Sequence, residues 1–392
     1  MFGKRRIYLD YAAGATGNPS SPHYEGRQAK GKLEDARTAI ARLVEVQSDD
    51  VIFTSGATES NALAILGHVR ALKMAGRKEL HMLYLPSAHA SIVENANLLM
   101  AEGVAIEALP IKNYRVDTEI LADMVRDETA LVSMDAVCGE TGVIWNTRAV
   151  ADVLKRFRTG TSKKGSAQAT RPIPHSFFDV PVLHIDASQA PLTEKMTRAH
   201  FGADLLTLDA SKVGNIRGIG ALIAHRTIPL VPLYGGGGQE RGLRPGSEAP
   251  ELALSFAACL RQAALGRESF ITSAKLERKN LIKRIKNIVP NVFIQESRRQ
   301  VPHILNLSLP GRDTDYLIAL LDEAGIAVST RSACETDSEE GSRAVFVLTG
   351  DRDCARATLR ISWGPLTRSC DLRRFAKLFS QAVAFIDNNN SG

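Results

Sequence analysis

The chain has 392 residues, is 44% hydrophobic and 23% charged, and carries a formal net charge of +6. That length exceeds what one ordinary core fills, so two domains are expected. The mild charge, with no dense Lys/Arg block, argues against direct nucleic-acid binding, and no run of about 18 apolar residues offers a membrane-spanning helix.

Five cysteines, at 138, 259, 334, 354 and 370, include no CxxC pair and leave an odd count. This argues against a disulfide framework or a zinc knuckle and for a reducing compartment. The first residues, "MFGKRRIYLDYAAG", lack the apolar run of a signal peptide, so a soluble, cytoplasmic protein is expected.

In chain order, "DDVIFTSG" reads as a strand ending in a turn, and "ATESNALAILGHVRALKMAG" as a helix ending at Gly76. "LHMLYLP", "ALVSMDAV", "VLHIDA", "DLLTLDA" and "GIGALIAH" are further short strands rich in Val, Ile and Leu. "TRAVADVLKRF" and "EAPELALSFAACLRQAALG" are helices between or after them. Such alternation predicts an α/β fold, a mostly parallel sheet covered on both faces.

The segment "RFRTGTSKKGSAQATRPIPHSFFDV", roughly residues 157–181, reads as an exposed insertion. After about residue 255 a separate basic amphipathic helix, "FITSAKLERKNLIKRIKNIV", is expected. It is followed by strands in "VPHILNLSLPG" and "ATLRISWG", a helix in "TDYLIALLDEAGIAVS" and a last helix "DLRRFAKLFSQAVAFIDN". A large domain over residues 14–255 and a smaller α/β domain from 1–13 and 256–392 are expected.

Several short stretches offer chemistry. In "FTSGATESN" a Gly-Ala-Thr turn presents N–H groups and a hydroxyl that suit a phosphate, and that serve equally as helix capping. "HIDASQA" ends a strand with Asp186, followed by Gln189. A carboxylate there could hold a pyridinium nitrogen protonated, or cap the next helix. "DLLTLDASKVGNIRGIG" places Lys212 after a strand, as a Schiff-base lysine or a surface one. "GGGGQERGLRPGSEAPE" is a Gly-rich loop that can approach an anion or cross between domains. Cys334, in "VSTRSACETDSEEGSR", stands among small and charged residues with no apolar neighbours.

The order of these pieces, with His89 in "SAHASIVE", "CGETG" and Arg360 in "ATLRISWG", resembles the cysteine desulfurases, NifS-like enzymes of the class V aminotransferase group. The resemblance runs from "IYLDYAAGAT" and "GNPSSPHYEGRQA" to the final helix, and "TSGATESN", "ERGLRPGS" and "SAC" before "LRIS" are its most specific pieces. It implies the type I fold of pyridoxal 5′-phosphate (PLP) enzymes, with a seven-stranded type of sheet. It also implies that Ala57 and Thr58 contact the cofactor phosphate and that His89 stacks on the ring and shuttles protons. Asp186 would pair with the ring nitrogen, Gln189 with the ring hydroxyl, and Lys212 would bind the cofactor covalently. Ser247 would reach the phosphate of a neighbouring subunit in a homodimer, and Arg360 would clamp the substrate carboxylate. Cys334 would take the sulfur of L-cysteine as a persulfide, leaving L-alanine, and pass it to an acceptor protein such as an iron–sulfur scaffold.

Three features depart from that pattern. "DASK" replaces Ser-x-His-Lys, so Asp209 brings a negative charge towards a dianion. Either it turns away, or an arginine such as Arg217 or Arg241 offsets it, or phosphate binds less tightly. Gly139 stands where an asparagine would contact cofactor and substrate, and "YAAGAT" runs straight into "GNPSSPH" where relatives carry a helix's worth of residues. The competing expectations are a relative that keeps the fold as a binding or regulatory subunit, and a selenocysteine or cysteine sulfinate lyase.

Overall fold

Six of the short apolar runs and one further strand pair into one sheet in the computed structural model, which describes residues 6–160, 177–330 and 341–389. The strands are β1 (Val51–Thr54), β2 (His81–Tyr84), β3 (Ala105–Ala108), a small hairpin β4 and β5 (Ile111–Lys112 and Arg115–Val116), β6 (Thr129–Asp135), β7 (Val182–Asp186), β8 (Leu205–Asp209) and β9 (Gly220–Ala224). The sheet order is β1-β9-β8-β7-β6-β2-β3. Only β9 runs against its neighbours, and all other pairs are consistent with one direction. β6 and β7 are buried along their whole length. That explains why they read as unbroken apolar runs: helices cover both faces of a parallel sheet.

The register places chemistry at one end. Asp135 pairs with Asp186 across β6 and β7, and Asp186 with Thr207 across β7 and β8. All three strands point their carboxyl ends the same way, the edge where α/β sheets bind ligands.

The two helices expected on either side of residue 266 are one. A single helix, Pro250–Ile288, runs 39 residues with proline in its first turn. Gly266 lies on its exposed side, where glycine costs about 1 kcal/mol relative to alanine but does not break the backbone ladder. This helix gives Phe256 and Leu260 to the core of the large sheet and Phe270, Leu281 and Ile285 to a second core. The second core lies on a three-stranded antiparallel sheet of β10 (Phe293–Ile294), β11 (Ile304–Ser308) and β12 (Thr358–Ser362). The last helix, Ser369–Asn389, covers it with Phe375, Phe379 and Val383.

Several elements were not anticipated, among them the helix Ala90–Ala101. The helix Tyr24–Val44 is polar on average and buries only a stripe, Leu33, Ala36, Ile40 and Val44, so its apolar signal is thin. β3 is partly exposed and carries Glu107, which hides its strand character. No helix among the described residues is long and apolar enough to cross a membrane.

Candidate active site

At the carboxyl ends of β6, β7 and β8 lies a cavity of about 320 Å³. Its wall includes Ala57, Thr58, His89, Asp186, Gln189, Lys212 and Arg360, seven residues drawn from five separate stretches of the sequence. It also includes Asp209, which the sequence placed near the phosphate, and Asp135 and Glu140, two carboxylates to which the sequence pattern assigned no role.

Asp186 is buried and fixed at both oxygens. Oδ1 accepts the backbone N–H of Ser188 at 2.9 Å, and Oδ2 accepts Asn61 Nδ2–H at 2.7 Å. Asn61 also donates to Ser91 Oγ at 2.8 Å, and Ser91 Oγ lies 2.7 Å from His89 Nδ1. The backbone N–H of Ser91 points to the same nitrogen at 3.1 Å. With two donors converging on Nδ1, the network assigns the ring proton to Nε2. Asn61 and Ser91 therefore tie the orientation of His89 to that of Asp186. Sequence reasoning missed both; the signal was the asparagine at the end of "GATESN".

Asp135 is a third residue that the sequence did not reveal. Its side chain is buried beside Asp186, and its Oδ1 has no hydrogen-bond partner among the described residues. Burial, reinforced by the negative charges of Asp186 and Glu140, holds its carboxyl well above the usual carboxylate range. Glu140 is also buried, and accepts Ser342 Oγ–H at 2.5 Å.

Arg360 reaches the cavity from β12, in the smaller sheet, and donates to the carbonyl of Gly139 at 3.1 Å. A side chain at 139 would crowd Gln189, whose Nε2 would lie 3.1 Å from the added Cβ. Glycine there lets the glutamine close on the turn. Lys212 is exposed and forms no hydrogen bond or ion pair among the described residues.

Asp209 does not turn away. Its Oδ2 accepts the backbone N–H of Ala57 at 2.8 Å, and its Oδ1 accepts the N–H and hydroxyl of Ser211 at 2.7 and 2.6 Å. Neither named arginine offsets it: Arg241 donates to the carbonyl of Asp49 at 3.1 Å, and Arg217 forms no ion pair with it among the described residues. Arg244 is also committed elsewhere, to Glu59 at 3.3 Å, alongside the Tyr234 hydroxyl at 2.7 Å.

One expected site residue does not line this cavity. Ser247 is exposed on the Gly-rich loop. That loop is anchored by Glu240, which forms a buried bidentate pair with Arg37 at 2.7 and 2.8 Å and accepts the N–H of Phe53 at 2.8 Å. Cys334 lies outside the described residues, as does most of the insertion expected at 157–181. Among the described cysteines, burial pushes the Cys138 thiol up to about 12 and the Cys354 thiol to about 11, so neither is an activated nucleophile.

The donor set fits pyridoxal phosphate. A buried carboxylate held by two donors suits the ring nitrogen, an amide beside it suits the ring hydroxyl, and an uncommitted lysine suits the aldehyde. The donors that suit the phosphate are present as well, in the Ala57 and Ser211 N–H groups and the Ser211 hydroxyl.

The aminotransferase class-V family matches residues 6–163 and 178–375, so the match breaks within the insertion. The cysteine desulfurase IscS 1 of Archaeoglobus fulgidus is 30% identical over 385 residues, spanning 96% of this chain and 92% of that protein. The mitosomal cysteine desulfurase of Encephalitozoon cuniculi is 31% identical over 380 residues, 94% of this chain and 80% of that one. A solved NifS-like protein superimposes with a TM-score of 0.81 at 24% identity, covering 94% of this chain and 92% of its own, which shows the type I fold. The chain belongs to the PLP-dependent class-V aminotransferase family, among the cysteine desulfurases of the IscS and NifS kind.

Proposed function

We propose that this chain removes sulfur from L-cysteine, releasing L-alanine and keeping the sulfur as a persulfide on Cys334. The convergence of Asp186, Lys212, His89 and Arg360 on one cavity carries this reading. The bound cofactor supplies an electron sink for a carbanion at the substrate Cα.

Each residue has a definite task. Arg360 presents a planar guanidinium to the substrate carboxylate, and its bond to Gly139 fixes the approach. Asp186, held by Asn61 and Ser188, would keep the ring nitrogen protonated. Gln189 would donate to the ring hydroxyl. Lys212 would hold the cofactor through Nζ, and the same atom as a free amine would move the proton at the substrate Cα. His89, with its proton on Nε2, would lie against the ring and relay a proton to or from the substrate. The Cys334 thiolate attacks the substrate sulfur. The new S–S bond forms as Cβ–S breaks, and the electron pair returns to the carbon skeleton, which leaves as alanine after protonation.

The same reading places 14–255 and 1–13 with 256–392 in separate domains, a division that the two apolar cores support. It makes the protein a homodimer, with Ser247 serving the neighbouring subunit; its exposure away from its own cavity supports that assignment. The exposed Ile7, Leu9 and Tyr11 offer apolar surface for such an interface. An acceptor protein takes the persulfide sulfur. The unpaired cysteine spacing supports a cytoplasmic, reducing location.

An absorption spectrum tests the cofactor half of this reading. With added pyridoxal phosphate, the purified chain gains a visible band that disappears on borohydride reduction and is missing in Lys212→Ala. A chain that gains no band contradicts it.

A further inference from the structure

The donors that suit a phosphate are already satisfied. The Ala57 N–H, the Ser211 N–H and the Ser211 hydroxyl all bond to one carboxylate, Asp209, at 2.8, 2.7 and 2.6 Å. Asp209 forms no ion pair among the described residues, so its charge meets no direct counterion where a dianion would sit. Its Oδ2 also closes on the turn itself: a Cβ built on Gly56 would lie 3.3 Å from it. Arg244 is committed to Glu59, the residue that follows Thr58.

We propose that Asp209 is a resident anion of the phosphate cradle and the residue that sets which form of the cofactor this chain prefers. The inference rests on the cofactor reading above. A carboxylate and a phosphate competing for the same three donors repel one another, so the phosphate must displace Asp209 before it gains those bonds. Much of its binding advantage is thereby cancelled. The ring end has no such competitor: Asp186, Gln189 and Lys212 meet the pyridine and aldehyde unhindered. The chain therefore takes its cofactor mainly by ring and lysine. It accepts the unphosphorylated aldehyde, pyridoxal, nearly as well as the phosphate ester, and it exchanges cofactor with solution readily.

The position also explains why the sequence tolerates a carboxylate there. Asp209 caps the short turn Ala210–Lys212 and so orients the lysine whether or not a cofactor is bound.

The test is a pair of dissociation constants, for pyridoxal phosphate and for pyridoxal, measured by equilibrium dialysis on the cofactor-stripped full chain. Wild type is compared with Asp209→Asn and Asp209→Ser. The ratio of the two constants isolates the phosphate, because both compounds need Lys212 equally and any disturbance of the lysine cancels. We expect wild type to favour the phosphate ester by no more than about 10-fold. Either variant should widen that preference by a further 10-fold or more, chiefly by tightening the ester. A wild-type preference already above about 1000-fold, or a ratio unchanged in both variants, overturns the proposal and leaves the cofactor reading intact. If neither compound binds wild type or either variant in a Lys212-dependent way, the cofactor reading falls and this inference with it. Far-ultraviolet circular dichroism of each variant confirms that the compared chains are folded.

Discussion

Asn61 bridges Asp186 and Ser91, donating to one carboxylate oxygen at 2.7 Å and to the hydroxyl oxygen at 2.8 Å. Through Ser91 the bridge extends to His89, so the group that would hold the ring nitrogen and the group that would lie against the ring share one support. Removing Asn61 leaves Asp186 with one donor instead of two and frees Ser91 to rotate.

Asn61→Ala is therefore expected to lower kcat by about 10-fold, in line with a buried, charge-assisted hydrogen bond worth 1–2 kcal/mol. KM for L-cysteine should change little, because Arg360 is untouched. Steady-state kinetics on the loaded enzyme checks this. A change confined to KM would show that the bridge does not serve the reacting centre.

Asp135 gives a prediction in pH. Its folded pKa lies above its unfolded value, so the native state binds the extra proton. The stability it contributes is complete below about pH 4 and is lost as pH rises through the folded pKa. At pH 8 the buried carboxyl therefore destabilises the cofactor-free chain relative to pH 4. Asp135→Asn, which has no charge to bury, should be more stable than wild type there. Near pH 4 the difference should vanish. Urea unfolding at the two pH values makes the comparison, and a variant that is less stable at pH 8 would contradict it.

Two buried histidines act with the opposite sign. Burial depresses His184 and His303 to about 4, His184 being wedged between Ser133 Oγ at 2.8 Å and Thr207 Oγ1 at 3.0 Å. Both titrate near 6.5 when unfolded, so their contribution is complete above that pH and is lost as pH falls towards 4. Two protons taken up on unfolding correspond to a loss of roughly 2–3 kcal/mol per pH unit within that window. Tm measured from pH 7 to pH 4.5 should fall accordingly, and a flat profile would show that these rings are solvated.

The Gly-rich loop depends on one buried pair. Arg37 and Glu240 side chains are only 10% and 2% exposed, and Glu240 sits at a φ of 49° that its bonds to Arg37 and Phe53 hold in place. Deleting the carboxylate leaves a buried guanidinium with only the half-exposed Glu34 as an ion-pair partner. Glu240→Ala should destabilise the chain by about 3–5 kcal/mol, measured by urea unfolding, whereas the double variant with Arg37→Met should recover part of the loss. Equal loss in both would mean that the loop's packing matters more than the charge.

How far the sequence carried can be judged residue by residue. The parallel sheet was legible because strands buried on both faces read as continuous apolar runs, and β6 and β7 are buried at every position. Lys212 and Asp186 stood out because their residue types are unusual at the ends of such strands, whereas Arg360, in the middle of β12, was named through the family resemblance alone. Asn61 and Ser91 were not, since an asparagine and a serine inside helical stretches look like ordinary polar positions. Asp135 was invisible for a different reason. Nothing local marks it as the neighbour of Asp186, because that pairing arises from the register of two strands about fifty residues apart. The direction of Asp209 also needed three dimensions, because residue type alone does not distinguish a carboxylate turned out from one turned onto Ala57. The continuous helix through Gly266 was missed because a change of charge texture resembled a boundary that the backbone does not observe.

The central claim is sulfur removal from L-cysteine through Cys334, and the most direct measurement is the product balance of a single turnover without reductant. The wild-type chain, loaded with pyridoxal phosphate, should release one L-alanine per active site and carry one extra sulfur atom on the peptide containing Cys334, seen by mass spectrometry. Lys212→Ala should give neither product. Alanine without sulfur on Cys334, or no alanine from a chain shown to hold its cofactor, would contradict the account.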